Sequence, residues 1–317
     1  MSVEFEQPPV PNEEVLEPQP KEKKPQVPGA GAILLAAVGF IFAQFSLLAA
    51  GMLVVQLFPH LPIQWVNMSI MLVSTLLWGS GAWLWVQLRQ MPSDWLSLAF
   101  PQVRSWFWPT LLVMVPTALL FGGSFDMLIG SLFAIQPRPD PTLEQLSDAA
   151  MGSVGLQLLV LFLAVIAAPM SEELFFRGVA LRSLRFRKWS FLAASGFTSL
   201  LFAGIHFKIT GFFLLFTLAM VLAMLAERTR SLLPSIVFHA AHNAFVIFVA
   251  MWHLAKDPVM RSFSMVAPAA SKTPTLPEAS TMLVSFLYHV PWFFGLFALL
   301  YFGAVPKPQH EKRSLCE

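Results

Sequence analysis

Several polar and charged side chains lie within stretches of this chain that are otherwise apolar. The first of them follow a run of about twenty apolar residues, which is the length of a helix that spans a lipid bilayer. A charged side chain at the centre of such a helix costs roughly 2.5–3.5 kcal/mol, so it is retained only where it is used or neutralised. The pattern therefore predicts a polar site inside a membrane. The residues of that site are Glu172, Glu173, Arg177, His206, His239 and Asn243.

The two glutamates have different expected roles. Glu173 and Arg177 are four residues apart, so they share one helix face and can form an ion pair. Glu172 is rotated by about 100° from its neighbour and is freer to face a substrate, as a general base must. Pro169 lies just before them and predicts an interruption of the helix, because proline removes a backbone donor. The alternative is a structural ion pair with one glutamate at the membrane interface.

Counting residues from the turns predicts how deep each side chain lies. Trp189 marks one turn, with Glu172 lying 17 residues before it and His206 lying 17 residues after it. The two side chains are therefore expected at one height, roughly 25 Å from that turn. His239 is only nine residues past Arg230, which marks the next turn on the same side. It is expected about 13 Å shallower than His206, which counts against a compact site.

Two kinds of chemistry fit these residue types. Glu172, His206 and His239 could hold a zinc ion and leave one position for water. Without a metal, Glu172 would activate the water and His206 would orient it, while His239 and Asn243 would donate hydrogen bonds to the oxyanion of a peptide carbonyl. The chain has no His-Glu-x-x-His spacing, which slightly favours the metal-free route. The cofactor stays open between a divalent metal such as Zn²⁺ and none.

Two further polar residues in apolar stretches have roles that stay open. Asp126 lies just after Gly122 and Gly123, where it is expected to cap a broken helix or to line a cavity. His242 is three residues from His239 and can face inward with it. A lone histidine in such a position is more often a satisfied donor between helices than a catalytic group.

The elements that position these residues are predicted to be membrane-spanning helices, which makes the fold an all-α bundle embedded in a lipid bilayer. The chain has 317 residues, of which 56% are hydrophobic and 12% are charged. Soluble proteins carry about 25% charged residues. The net charge of +2 is too small to imply nucleic acid as a partner. Cys316 is the single cysteine, so a disulfide framework is excluded.

Apolar stretches of about 20 residues predict eight spans. The spans are 30–57, 63–88, 105–133, 150–187, 189–207, 211–227, 231–253 and 281–304. With this count, 14 of the 20 Lys and Arg residues fall on the side of the N-terminus and five on the other side, so both termini are predicted to be cytoplasmic. The predicted divisions are a disordered Pro/Glu-rich tail (1–29), a membrane domain (30–304) with its core at 150–250, and a C-terminal tail (305–317).

Three motifs in order resemble the signature of the CAAX prenyl protease and bacteriocin-processing family, whose members are described as intramembrane glutamic or metal-dependent endopeptidases. The motifs are Glu172-Glu173-x-x-x-Arg177, Phe202-x-x-x-His206 and His239-x-x-x-Asn243. The resemblance covers about residues 150–250 and implies a helical membrane endopeptidase. By position, it implies Glu172 as general base with His206 as its partner, His239 and Asn243 as oxyanion or metal groups, and Glu173 with Arg177 as their support.

The resemblance implies a substrate class but no particular substrate. The substrate would be a membrane-associated protein or peptide, either of the prenylated CAAX type or bacteriocin-like. The protein would lie in the cytoplasmic membrane of a bacterium or in the endoplasmic reticulum of a eukaryote. A proton-coupled transporter is an alternative, because such proteins also bury Glu, His and Asp, although the sequence has no internal repeat. A non-catalytic scaffold or immunity protein is the other alternative.

Overall fold

The computed structural model describes residues 26–133, 135, 153–255 and 276–303, which form helices and no strand. The prediction of an all-α fold is confirmed. The predicted N-terminal tail (apart from residues 26–29) and the predicted C-terminal tail lie outside the described residues.

Eight main helices occur in the described parts of the chain. They are α1 (Ala30–Leu57), α2 (Ile63–Leu88), α3 (Phe107–Leu132), α4 (Val154–Phe186), α5 (Phe191–Gly204), α6 (Phe212–Thr229), α7 (Leu233–Ala255) and α8 (Leu276–Ala298), the last continued by a π-helical turn at Leu299–Gly303. Six helical segments are long and apolar enough to cross a bilayer, whereas Phe191–Gly204 and Leu233–Val249 are shorter apolar stretches. The count of eight spans and the cytoplasmic side of the termini stay predictions.

Helices α4 and α6 form the centre of the bundle, and α1 lies at its edge. Most side chains of residues 217–226 on α6 are buried, whereas α1 buries only Ile33, Ala37 and Gly51. A helix that is apolar all round needs either protein or lipid on every face, and α1 therefore presents most of its surface to the bilayer. Trp78 on α2 connects the edge to the centre, because its ring stacks on both Phe40 of α1 and Phe175 of α4, at centroid distances of 4.0 and 4.2 Å.

Helices α3 and α6 approach each other most closely at Gly122. A Cβ atom at this position would lie 2.7 Å from the Cα of Leu214, so a residue with a side chain would push the two backbones apart. One turn later, Asp126 accepts hydrogen bonds from the backbone N–H groups of Phe213 and Leu214, at 3.0 and 2.8 Å. Asp126 thus caps the N-terminus of α6 from a neighbouring helix, whereas the sequence suggested that it would cap a break in a helix or line a cavity.

Basic side chains converge at one end of the bundle, which we call the basic end. Its members are Arg182, Arg185, Arg187 and Arg230. Arg182 donates a hydrogen bond to the backbone carbonyl of Arg230 at 3.1 Å, and Arg185 forms an ion pair with Glu227 at 2.8 Å. The Arg182 contact fastens the last turns of α4 to the turn between α6 and α7, which sets the relative height of the side chains on α4 and α7.

Candidate active site

Helix α4 carries both glutamates in a short α-helical segment between two π-helical turns. The turns are Phe162–Ala167 and Leu174–Leu181, and Ala168–Glu173 lies between them. The helix continues through Pro169, so the predicted break at this proline is absent and the helix instead changes its hydrogen-bond register. The irregularity lies one turn earlier, where the N–H of Ala168 donates to the carbonyl of Leu163, five residues back. π-Helical turns are rare in proteins, and those that occur are often found at functional sites.

The ion pair between Glu173 and Arg177 is present and is fully buried. Arg177 Nη1 lies 2.7 Å from Glu173 Oε1, and the two side chains are 1% and 0% exposed. Arg177 also donates to the backbone carbonyl of Ala219 at 2.9 Å, and its guanidinium carbon lies 5.0 Å from the ring centroid of Phe202. The arginine thereby neutralises a carboxylate that would otherwise be unstable at this depth.

His239 on α7 lies between the two glutamates. Its Nδ1 is 3.1 Å from Glu173 Oε1, and its Nε2 is 3.8 Å from Glu172 Oε2. Glu172 retains 20% exposure while Glu173 has none, which agrees with the expectation that Glu172 is the freer carboxylate. The same Glu173 oxygen also accepts a hydrogen bond from Arg177. It therefore acts as the acceptor toward His239, and the proton of the His239–Glu173 hydrogen bond is on Nδ1.

The predicted depth difference of His239 was wrong. It assumed that both turns on this side of the bundle lie in one plane. Arg182, nine residues after Glu173, instead contacts the carbonyl of Arg230, nine residues before His239. The equal spacing brings Glu173 and His239 to one height, roughly 13 Å from the Arg182–Arg230 contact. Trp189 comes seven residues after Arg182 along the chain, so the turn around it lies farther from the glutamates than the Arg182–Arg230 contact does.

His206 lies two residues beyond Gly204, the last residue of the short helix α5. Its Nδ1 lies 2.6 Å from the carbonyl of Phe202, one turn back, and a carbonyl only accepts, so this nitrogen is protonated. Nε2 is therefore the ring nitrogen that remains for other partners. The rings of His206 and His239 both pack against Phe202, at centroid distances of 4.9 and 5.7 Å, so the two imidazoles lie on either side of one side chain.

Phe202 is a site residue to which the sequence gave no role beyond its place in a motif. Its buried ring lies 4.9 Å from the ring of His206 and 5.7 Å from that of His239, and Arg177 stacks on it as well. The side chain thus forms an apolar floor that the arginine and both imidazoles share. The four-residue spacing from His206 was the available signal, since it places both rings on one helix face.

Asn243 makes a different contact from the one expected. Its amide Nδ2 donates to the backbone carbonyl of Ala164 on α4, at 2.8 Å. His242 is buried at 4% exposure, and neither of its ring nitrogens has a hydrogen-bond partner among the described residues. Four of the six predicted residues thus form one chain of contacts (Arg177, Glu173, His239 and Glu172). His206 shares the ring of Phe202 with His239, and Asn243 contacts α4 at Ala164.

The proposed ligands do not converge on one point. Within the described ranges, no group of three His, Cys, Asp or Glu side chains is arranged to hold a metal ion. The residues present therefore do not fit a zinc centre in this conformation, and the assignment of Glu172, His206 and His239 as ligands stays a prediction.

The fold and the buried carboxylate–imidazole site together define a multi-pass helical membrane protein whose polar groups meet between helices. Residues 154–245 match the family model described as Rce1-like, type II CAAX prenyl endopeptidase Rce1-like. This match confirms the resemblance drawn from the three motifs, and residues 154–245 are similar to that family of membrane proteases. Neither the comparison with curated proteins nor that with solved structures gives a match.

Proposed function

We propose that this protein is an intramembrane endopeptidase that hydrolyses a peptide bond of a membrane-associated protein with a water molecule activated by Glu172. The observation that carries the proposal is the position of His239 between Glu173 and Glu172. Glu173 fixes the proton of His239 on Nδ1, so Nε2 is free of a proton and faces Glu172. An imidazole oriented by a carboxylate in this way can accept a hydrogen bond from a reacting group.

In this proposal the reacting water bridges Nε2 of His239 and Oε2 of Glu172. At 3.8 Å the two atoms are too far apart for a direct hydrogen bond, yet one water oxygen can lie about 2.8 Å from each. The water would donate one hydrogen to Glu172 and one to the imidazole nitrogen. Its lone pair would then be directed away from both acceptors, toward a substrate carbonyl.

The proposed reaction proceeds in two steps. In the first, Glu172 removes a proton from the water as the oxygen forms a bond with the carbonyl carbon, and the carbonyl π electrons move to its oxygen. In the second, the protonated Glu172 returns this proton to the amide nitrogen as the carbon–nitrogen bond breaks. The products are a carboxylic acid and an amine, with no other reactant consumed.

The remaining residues support this chemistry. Arg177 holds Glu173 in place through their buried ion pair. His206, with its Nδ1 committed to the Phe202 carbonyl, directs Nε2 to water or substrate. The substrate segment must enter a site that lies between helices, which favours a peptide next to a lipid anchor or within a membrane-bound protein. Prenylated CAAX-type and bacteriocin-like proteins are the two candidates.

The test is Glu172→Gln, which removes the base and keeps the size of the side chain. The membrane proteome of cells with this variant is compared with that of wild-type cells, and we expect a membrane protein whose terminus is processed only in the wild type. The purified proteins are then compared on a peptide from that terminus. Glu227→Gln is the matched control, because Glu227 forms its ion pair at the basic end, and it should cleave normally. Full cleavage by Glu172→Gln would refute the proposal.

The same proteins distinguish the two alternatives. A transporter would move protons or solute into sealed vesicles with no change in any terminus, and buried acidic groups would serve that flux. A scaffold or immunity protein would retain its cellular phenotype in Glu172→Gln, because binding needs no general base. Either result, with no processed terminus, would replace the peptidase proposal.

A further inference from the structure

Pro169 leaves one carbonyl of α4 without its helical donor. In the π-helical turn before it, Ala168 donates to Leu163, five residues back. The same register would pair the N–H of residue 169 with the carbonyl of Ala164, but proline has no N–H. A backbone carbonyl at this depth needs another partner, because lipid offers none.

Asn243 supplies the missing donor. Its Nδ2 lies 2.8 Å from the Ala164 carbonyl oxygen, in a part-buried position between α7 and α4. The asparagine is one turn after His239 on the same helix face, so α7 contacts α4 at both ends of the segment that presents the glutamates. At one end His239 meets Glu173, and at the other Asn243 meets Ala164.

We propose that Asn243 is a positioning residue, whose amide replaces the N–H that Pro169 lacks and so holds the Phe162–Ala167 turn in the register that presents Glu172 and Glu173. One of the two N–H groups of its Nδ2 is committed to α4, and we assign the effect of Asn243 on catalysis to this bond. The catalytic part of this inference rests on the proposed peptidase function, whereas the structural part does not.

The test is a double-mutant cycle that restores the backbone donor. Pro169→Ala returns an N–H at position 169, which can donate to the Ala164 carbonyl. Asn243→Ala in the wild-type background should lower the unfolding temperature and reduce kcat on the order of 100-fold, with KM changed less than about twofold, because it misplaces the base rather than a binding group. In the Pro169→Ala background the same change should reduce kcat less than about fivefold, with a correspondingly smaller shift in unfolding temperature.

Pro116 provides the matched control, since it is another proline inside a helix of this protein. Pro116→Ala also returns a backbone N–H, but in α3, and should not lessen the effect of Asn243→Ala. Equal losses of kcat from Asn243→Ala in the wild-type and Pro169→Ala backgrounds would show that the amide acts on the substrate and would overturn the proposal. An unchanged unfolding temperature in Asn243→Ala alone would also overturn it, and this measurement suffices if Pro169→Ala does not fold.

The two readouts separate this inference from the proposed function. If the wild-type protein cleaves no peptide, the peptidase proposal fails, and the unfolding temperatures of the four cycle proteins still decide whether Asn243 replaces the missing donor. If the wild-type protein cleaves and the cycle shows no coupling, the peptidase proposal stands and Asn243 is not a positioning residue.

Discussion

Replacing Arg177 by methionine should destabilise the protein far more than replacing Arg177 and Glu173 together. Arg177→Met keeps a long apolar stem but leaves the Glu173 carboxylate, which is 0% exposed, without its counter-charge. Removing one partner of a buried ion pair costs about 3–5 kcal/mol, whereas replacing both partners is often close to neutral. The variant Arg177→Met/Glu173→Gln should therefore recover much of the stability that Arg177→Met loses.

The other contacts of Arg177 determine how complete that recovery is. The guanidinium donates to the Ala219 carbonyl at 2.9 Å and lies 5.0 Å from the Phe202 ring centroid. A hydrogen bond from a charged donor contributes about 1.5–3 kcal/mol, and a desolvated cation–π contact about 2 kcal/mol. Both contacts are absent from the single and the double variant alike. The difference between these variants thus measures the cost of a buried Glu173 charge that has no partner, and we expect the double variant to be more stable by about 3 kcal/mol.

The assay is denaturant or thermal unfolding of purified protein in detergent micelles, with Glu173→Gln alone to complete the cycle. The control cycle uses Arg185→Met and Glu227→Gln at the basic end, where the pair is 35% and 18% exposed. An exposed pair of this kind should couple by less than about 1 kcal/mol. A double variant as unstable as Arg177→Met, or a coupling no larger than that of the control, would contradict the assignment of Arg177 as the counter-charge of Glu173.

Two further predictions use the same preparations. Asp126→Ala should lower the free energy of unfolding by about 1–2 kcal/mol, because it removes the cap from two backbone N–H groups of α6, and Asp126→Asn should lose less, because its amide oxygen still accepts. Equal losses would contradict the capping role. The metal-free route predicts that dialysis against a chelator leaves cleavage unchanged. Activity that is lost on chelation and restored by Zn²⁺ would support Glu172, His206 and His239 as ligands instead.

Hydropathy predicted the helices well because it depends on length and composition and not on which face is buried. The stretches 30–57 and 63–88 coincide with α1 and α2, and the overlong stretch 150–187 is the single helix Val154–Phe186. The ion pair of Glu173 and Arg177 could also be predicted, because residues four apart in a helix are neighbours on one face.

Contacts between helices were harder to predict, because they depend on where each turn lies along the bundle axis. The depth of His239 was misjudged because Arg182, and not the turn at Trp189, meets Arg230. The contact from Asn243 to the Ala164 carbonyl was missed for a related reason. Pro169 marks a missing backbone N–H, but the carbonyl that it leaves free depends on whether the helical register there is α or π, and no residue type marks that register.

The direction in which the glutamates face depends on the two π-helical turns around them. Each such turn inserts about one residue relative to α-helical spacing and so rotates everything beyond it by roughly 100°. A regular helix drawn from Val154 to Phe186 would therefore assign the wrong face to Ala168–Glu173 relative to either flank. At the second turn the register is held by Arg177, which is bound to Ala219, and at the first by Asn243. The residue types of the site can be recognised from the chain alone, but the face on which they meet is determined by α6 and α7.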